Sequence, residues 1–276
     1  MKLAIGLLKL IRPLNCLMAS LGIGIGALVG GGIPIEYSIV ILGMVIGALY
    51  TGGGNSLNDY FDRDIDRINH PERPIPLGYV KPKTAIIFSI FLFSLGLCLV
   101  LITNNLLCIG IVVINLVLLI LYEIKLKNIG FMGNICISWL TASLFIFGGA
   151  LVNKIFLPLF LSLLAFFACL GREIVKDIED IGGDEEKRKT LPMEIGIRKA
   201  SAFAAIFFFI AIILSPLPYY PLSIYHSYSY ITIISIADAI FLYSLILIFK
   251  SPKMSSITAK VGMCCALIAF ALEGLI

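Results

Sequence analysis

Carboxylates recur at helical intervals in two places along this chain. The first stretch reads Asn58-Asp59-Tyr60-Phe61-Asp62-Arg63-Asp64-Ile65-Asp66. If the preceding helix continues through it, Asn58, Asp62 and Asp66 fall at i, i+4 and i+8 and share one face. The second reads Lys176-Asp177-Ile178-Glu179-Asp180-Ile181-Gly182-Gly183-Asp184, with Asp177, Asp180 and Asp184 at i, i+3 and i+7. Carboxylates stacked in this way repel one another and need a counter-charge. Hard oxygen ligands at this density suit Mg²⁺, usually together with substrate phosphates. The candidate metal ligands are Asn58, Asp62, Asp66, Asp177, Asp180 and Asp184. The catalytic candidates among them are Asp62, Asp66, Asp180 and Asp184. Gly182-Gly183 predicts a helix that frays before Asp184. Asp59, Asp64 and Glu179 fall partly off the two faces, where ordinary solvation or a supporting role is expected.

Cations follow each cluster. Arg73 lies among Pro71, Pro74 and Pro76, which end any helix and stiffen the chain. Lys187-Arg188-Lys189 follows the second cluster directly. Acids that hold a metal, flanked by Arg and Lys, suit a diphosphate, because metals bridge some phosphate oxygens and cations bind the rest. Ionisation of an allylic diphosphate is the reaction such a site serves. The leaving diphosphate is stabilised by charge, and an apolar cavity shelters the carbocation and its tail.

The elements that must position these residues are membrane spans. A chain of 276 residues that is 59% hydrophobic and 14% charged is no soluble domain. Its mean hydropathy is +1.03. Apolar runs predict nine spans, near 13–33, 36–56, 84–103, 106–122, 131–151, 155–173, 200–217, 228–249 and 256–275. No linker, soluble module or internal repeat divides them, so a single domain over residues 1–276 is expected, and nucleic acid is not an expected partner. The lysines near Met1 precede no clear cleavage site, so the start reads as mature sequence. The seven cysteines lie in apolar runs without metal-ligand spacing and read as small buried hydrophobes.

Loop charge alternates sharply. The segments near 57–83, 123–130, 174–199 and 250–255 are charged, and the intervening ones are almost neutral. Of the 21 Lys and Arg residues, only Lys154 falls on the neutral side. The positive-inside rule then places the N-terminus and both acidic clusters in the cytoplasm, at the surface of a cell membrane. Nine spans leave the C-terminus outside. Asp238 falls inside the eighth span, where a carboxyl is costly and needs a partner.

The wording of the clusters adds a resemblance. Asn58-Asp59-x-x-Asp62-x-x-x-Asp66, followed by Asn69-x-Pro71-x-Arg73-Pro74, resembles the first motif of UbiA-type prenyltransferases. Asp180-x-x-x-Asp184, followed by Lys189-Thr190-Leu191-Pro192, resembles the second. Arg12-Pro13 and Tyr122-x-x-Lys125 are similar to further family positions, and the nine-span plan agrees over essentially the whole chain. The wording is most similar to the archaeal branch, whose members attach the second C20 chain to the glycerol of ether lipids.

The resemblance implies an all-α polytopic bundle around a central cavity, with its active site on the cytoplasmic side. It implies Mg²⁺-dependent transfer of a geranylgeranyl group from its diphosphate to geranylgeranylglyceryl phosphate. Arg73, Lys125 and Lys189 would neutralise phosphate oxygens. Arg12, Asn15, Tyr122 and Lys176 complete the expected substrate-binding set, with Arg12 the candidate for the acceptor phosphate. Arg12 also reads as an ordinary positive-inside anchor, and Tyr122 and Lys125 as interfacial residues. A family member acting on an aromatic acceptor is the alternative enzyme. A cation or metabolite transporter is the alternative class, expected to place ionisable residues near the bilayer midplane.

Overall fold

A computed structural model of the chain describes residues 2–32, 36–181 and 190–275. Asp184 and Lys189, with Gly182-Gly183 and Lys187-Arg188, lie outside the described residues. The chain is built from helices, in order α1 (Lys2–Leu10), α2 (Pro13–Gly31), α3 (Tyr37–Phe61), α4 (Arg63–Asn69), α5 (Pro82–Ile102), α6 (Leu106–Ile124), α7 (Gly130–Leu151), α8 (Phe156–Glu179), α9 (Leu191–Ile195), α10 (Ile197–Leu214), α11 (Tyr228–Ile248) and α12 (Pro252–Glu273). A 3₁₀ turn, Leu126–Asn128, links α6 to α7. Among the described residues nine helices are long and apolar enough to cross a membrane: α2, α3, α5 to α8 and α10 to α12. The nine-span reading of the sequence holds.

Local chemistry sets where the spans begin. Proline stands in the first turn of α2, α5 and α12, where its missing N–H costs nothing. The Asn105 side chain accepts from the amides of Leu107 and Cys108 and so caps α6. Where spans end is set differently. α3 has 25 residues and α8 has 24. At a rise of about 1.5 Å per residue, each exceeds a hydrocarbon core of about 30 Å. Both therefore run past the ends that apolar content marks at 56 and 173. The surplus turns carry Asn58 and Asp59 on α3, and Lys176 and Asp177 on α8.

The helix breaks at Asp62 (φ −89°, ψ 3°) and resumes as α4. The Asp62 amide still bonds the Asn58 carbonyl at 2.9 Å, and the Asp66 amide bonds the Asp62 carbonyl at 2.8 Å. Backbone spacing through the cluster thus stays helical while the axis bends.

The bundle has two packed halves. Ile23, Tyr50, Phe93, Ile111 and Phe147 belong to one core, drawn from α2, α3 and α5 to α7. Ile174, Phe208, Phe241 and Ala259 belong to another, drawn from α8 and α10 to α12. A third core, with Phe145, Leu161, Tyr230 and Phe270, joins them through α7 and α8. α2 packs on α7, and α7 on α8. Two glycines allow the first of these approaches. A Cβ on Gly148 would overlap the Ile23 carbonyl, and one on Gly26 would overlap the backbone of Phe145. Asp238 on α11 accepts a hydrogen bond from Ser215 Oγ at 2.7 Å, the partner that its depth demands. Of the cysteines, Cys98 and Cys264 face outward and are not buried.

Gly148→Leu forces α2 and α7 apart and is expected to cost at least about 2 kcal/mol. The thermal midpoint of the purified protein in detergent should fall. Gly110→Leu, on α6 with no atom within 4 Å of its built Cβ, should leave the midpoint unchanged. Equal midpoints for all three proteins would contradict the close crossing.

Candidate active site

The last turns of α3 sit among cations delivered by three other segments. The first is the joint between α1 and α2. Arg12 adopts a left-handed backbone (φ 52°), a strained state for a residue with a side chain. The neighbouring Ile11 carbonyl is held by Asn55 Nδ2 at 2.9 Å. From this turn Arg12 Nη2 reaches Asp59 Oδ1 at 2.5 Å and Asn58 Oδ1 at 3.3 Å.

The second segment is the proline loop. The Pro74 carbonyl accepts from the amides of Tyr79 and Val80, and Gly78 takes the positive φ (71°) that closes the turn. Ile75 and Val80 are buried with Leu10, which fastens this loop to α1. Arg73 is thereby aimed back at α4. Its Nη1 lies 2.6 and 2.7 Å from the two oxygens of Asp66, and 3.6 Å from Asp59 Oδ1.

The third segment is the 3₁₀ turn after α6. Lys127 Nζ lies 2.6 Å from Asp62 Oδ1 and 2.8 Å from Glu123 Oε2. Asn58 Nδ2 donates to Asp62 Oδ2 at 3.0 Å and to Glu123 Oε1 at 3.1 Å. Asp59, Asp62, Asp66 and Glu123 are all buried, at 2, 6, 2 and 5% exposure. Carboxylates this dry persist as charges only with such partners.

The second acidic cluster closes a cleft with the same turn. Tyr122, Lys127, Asn134, Glu173, Asp177 and Asp180 line it, with Lys176 and Thr190. Asn134 Nδ2 donates to Asp177 Oδ2 at 2.8 Å. Glu173 binds Arg172 at 2.6 Å and Lys176 at 3.1 Å. Asp180, at the end of α8, is exposed. Lys127 thus belongs to both halves: it touches Asp62 and faces the cleft of Asp177 and Asp180.

Of the residues singled out from sequence, Asn58, Asp62, Asp66, Arg12 and Arg73 come together on one side of this mouth. Tyr122, Lys176, Asp177 and Asp180 come together on the other. Asn15 and Lys125 are exposed and make none of the contacts described above. Sequence reasoning passed over Glu123, Lys127 and Asn134, and gave Asp59 less weight than its two arginines do. The signal for the first pair was a lone acid at the end of an apolar run with a lysine four residues on.

Among the described residues no three His, Cys, Asp or Glu side chains converge to hold a metal ion by themselves. The donors at the mouth are hard oxygens, several of them paired with Arg or Lys. That set fits an ion that completes its shell with water and substrate phosphate, which is the habit of Mg²⁺.

A bundle of spans that gathers buried acids and paired cations at one mouth defines an integral-membrane enzyme acting on charged groups at the interface. The chain belongs to the UbiA prenyltransferase family, whose model matches residues 17–270. A digeranylgeranylglyceryl phosphate synthase from Methanothrix thermoacetophila is 41% identical, covering 96% of this chain and 97% of the relative. A solved structure from work on digeranylgeranylglyceryl phosphate synthase in membranes is 37% identical, with a TM-score of 0.88, covering 100% of this chain and 99% of that one. A UbiA homologue from Archaeoglobus fulgidus, solved with GPP and Mg²⁺, shares the fold at 19% identity, with a TM-score of 0.77 over 98% of this chain and 99% of its own.

Arg73→Ala leaves Asp66 buried without its main cation and is expected to cost about 3 kcal/mol. Adding Asp66→Asn should recover most of that loss, since the orphaned charge is gone. Denaturant titration of both variants in detergent checks this. An additive double mutant would mean that the pair does not interact as described.

Proposed function

We infer that this protein transfers a geranylgeranyl group from geranylgeranyl diphosphate to geranylgeranylglyceryl phosphate, making the second ether bond of an archaeal lipid. One observation carries the reading. Likeness to digeranylgeranylglyceryl phosphate synthases runs at about 40% identity over nearly the full length of both chains. The mouth of the bundle supports the same chemistry. It pairs acids with Arg and Lys where a charged headgroup meets water, above apolar spans that suit a C20 tail.

In this reading Asn58, Asp62 and Asp66 from one side, and Asp177 and Asp180 from the other, hold Mg²⁺, with Asp184, outside the described residues, added from the second motif of the sequence. The Archaeoglobus fulgidus homologue solved with Mg²⁺ and GPP supports that ion. When bound, Mg²⁺ neutralises part of the charge that develops on a leaving diphosphate. The chain's own residues do the rest. Arg73 and Lys127 present their own positive charges at the mouth, Lys176 adds charge from the side of α8, and Lys189, outside the described residues, is proposed from its place in the sequence alone. Tyr122 walls the cleft between the halves. Arg12, with Asn15 one turn on, faces the route by which a phosphate-bearing lipid reaches the mouth from the bilayer. Apolar side chains exclude water from the C1 carbon as its bond to oxygen breaks. The diphosphate leaves with that bond's electron pair, the glycerol hydroxyl oxygen attacks the carbon to form the ether bond, and the hydroxyl proton passes to the released diphosphate. Lys125, exposed beyond the end of α6, is left to the interface.

The decisive assay presents purified protein with radiolabelled geranylgeranyl diphosphate, Mg²⁺ and a choice of acceptors. Geranylgeranylglyceryl phosphate should be prenylated, and excess chelator should abolish the reaction. Asp62→Asn and Asp180→Asn should each lower turnover by about two to three orders of magnitude, as loss of one electrostatic group at a charge-developing centre does. Efficient prenylation of 4-hydroxybenzoate with no reaction of the glycerophosphate would overturn the acceptor, and full turnover in chelator would overturn the metal.

The one-sided distribution of Lys and Arg supports a cytoplasmic mouth. Single cysteines replacing Arg67 or Lys187, in a background without reactive native thiols, should resist an impermeant thiol reagent in right-side-out vesicles. Labelling of either from outside would reverse the orientation.

A further inference from the structure

Glu123 takes no part in the steps above, yet it is among the most buried acids of the mouth. It stands at the end of α6, outside both acidic motifs, and its carboxylate holds two groups. Asn58 Nδ2 donates to Oε1 and Lys127 Nζ donates to Oε2. Lys127 is itself only 8% exposed and divides its ammonium between Glu123 and Asp62. One buried cation therefore has two anionic partners, one within the first motif and one outside it.

We propose that Glu123 is a positioning residue that retains Lys127 when Asp62 exchanges the lysine for a divalent cation. The inference rests on the reading of Asp62 as a metal ligand. Its physical basis is the cost of an orphaned buried charge. Were Asp62 the lone partner of Lys127, a metal at Asp62 would strand a desolvated ammonium. Lys127 would then compete with the metal for the carboxylate. With Glu123 at 2.8 Å, the ammonium keeps an ion pair when Asp62 turns to a metal. Asn58 bonds both carboxylates, so it fixes their separation through the exchange. Lys127 meanwhile stays at the cleft of Asp177 and Asp180, where a diphosphate oxygen would meet it.

Glu123→Gln keeps the size of the side chain and an acceptor for Asn58 but removes the charge that retains the lysine. Mn²⁺ binding to the full chain in detergent, followed by electron paramagnetic resonance of the free ion, reads the consequence without turnover. Glu123→Gln should weaken Mn²⁺ binding about tenfold, as Asp62 becomes the sole anion for Lys127. Glu123→Asp should lie between the two. Lys127→Met removes the competitor and should bind Mn²⁺ at least as tightly as the wild type. Adding Glu123→Gln to Lys127→Met should then change the affinity by less than about twofold. Wild-type affinity in Glu123→Gln would overturn the proposal, as would the same loss in the Lys127→Met background, which would mean that Glu123 acts without the lysine. If Glu123→Gln does not fold, Lys127→Met decides: weaker Mn²⁺ binding there sinks the proposal. Absence of saturable binding by the wild type would remove the metal reading of Asp62 itself, and this inference with it.

Discussion

Burying a carboxylate beside a lipid bilayer requires a cation to be buried with it, and the mouth of this bundle is arranged around that requirement. Asp59, Asp62, Asp66 and Glu123 are all nearly dry. Their partners come from three segments far apart in sequence: the turn at Arg12, the proline loop at Arg73 and the 3₁₀ turn at Lys127. Each is held by its own local chemistry. Asn55 fastens the first turn. Backbone bonds to the Pro74 carbonyl and the burial of Ile75 and Val80 fix the second. The helical phase of α6 and α7 fixes the third. Deleting any one of these supports releases a cation, and the desolvated acid it leaves behind then costs far more than a surface pair would.

The two sides of the mouth are poised differently. The α3 side is charge-compensated: its acids face arginine and lysine at 2.5 to 2.6 Å. The α8 side is looser. Asp177 is held by the neutral amide of Asn134, and Asp180 stands exposed at a helix end. A ligand that brings both cations and anions, as a metal diphosphate does, suits such a pair of walls. On the proposed reading its positive part would take over acids, and its negative part would take over the cations those acids release. Displaced partners are reused, so the exchange leaves few charges stranded at any stage. That economy is what a site in a low dielectric needs most.

Much of this was legible in the sequence. Hydropathy gave all nine spans, because burial in lipid demands long apolar runs and little else produces them. Asn58, Asp62 and Asp66 keep helical backbone spacing, as their intervals predict. The apolar spans at 36–56 and 155–173 stop short of the ends of α3 and α8 for a physical reason. A helix ends where its hydrogen bonds end, whereas apolar content stops at the edge of the hydrocarbon. Lys125 is exposed, whereas Lys127, which the sequence reading did not consider, has a side chain only 8% exposed, because the 3₁₀ turn redirects the chain after Ile124. Asp59 lies off the predicted face. It matters because Arg12 comes to it from a left-handed turn that no periodicity encodes. Glu123 ends an apolar helix, where a lone acid resembles an interfacial residue until its lysine is seen.

The placement of charge also separates an enzyme from a transporter. A carrier moves its cargo through the bilayer and needs ionisable groups along that path. Asp238, deep in α11, is the residue that raises the question, and it is engaged by Ser215, which directly follows α10. It therefore serves the joint between α10 and α11. The acids with cations at exchange distance stand at one end, on turns that outrun the hydrocarbon. A substrate served by that arrangement keeps its charged group at the interface and its apolar chain in the spans. Both the donor and the acceptor of this reaction have that shape, each a phosphate on a C20 chain. The bond to be made lies at the boundary between their two parts. The turns by which α3 and α8 outrun a hydrocarbon core of about 30 Å are the ones that carry Asn58, Asp59, Lys176 and Asp177, so charge and apolar length are separated along the same two helices.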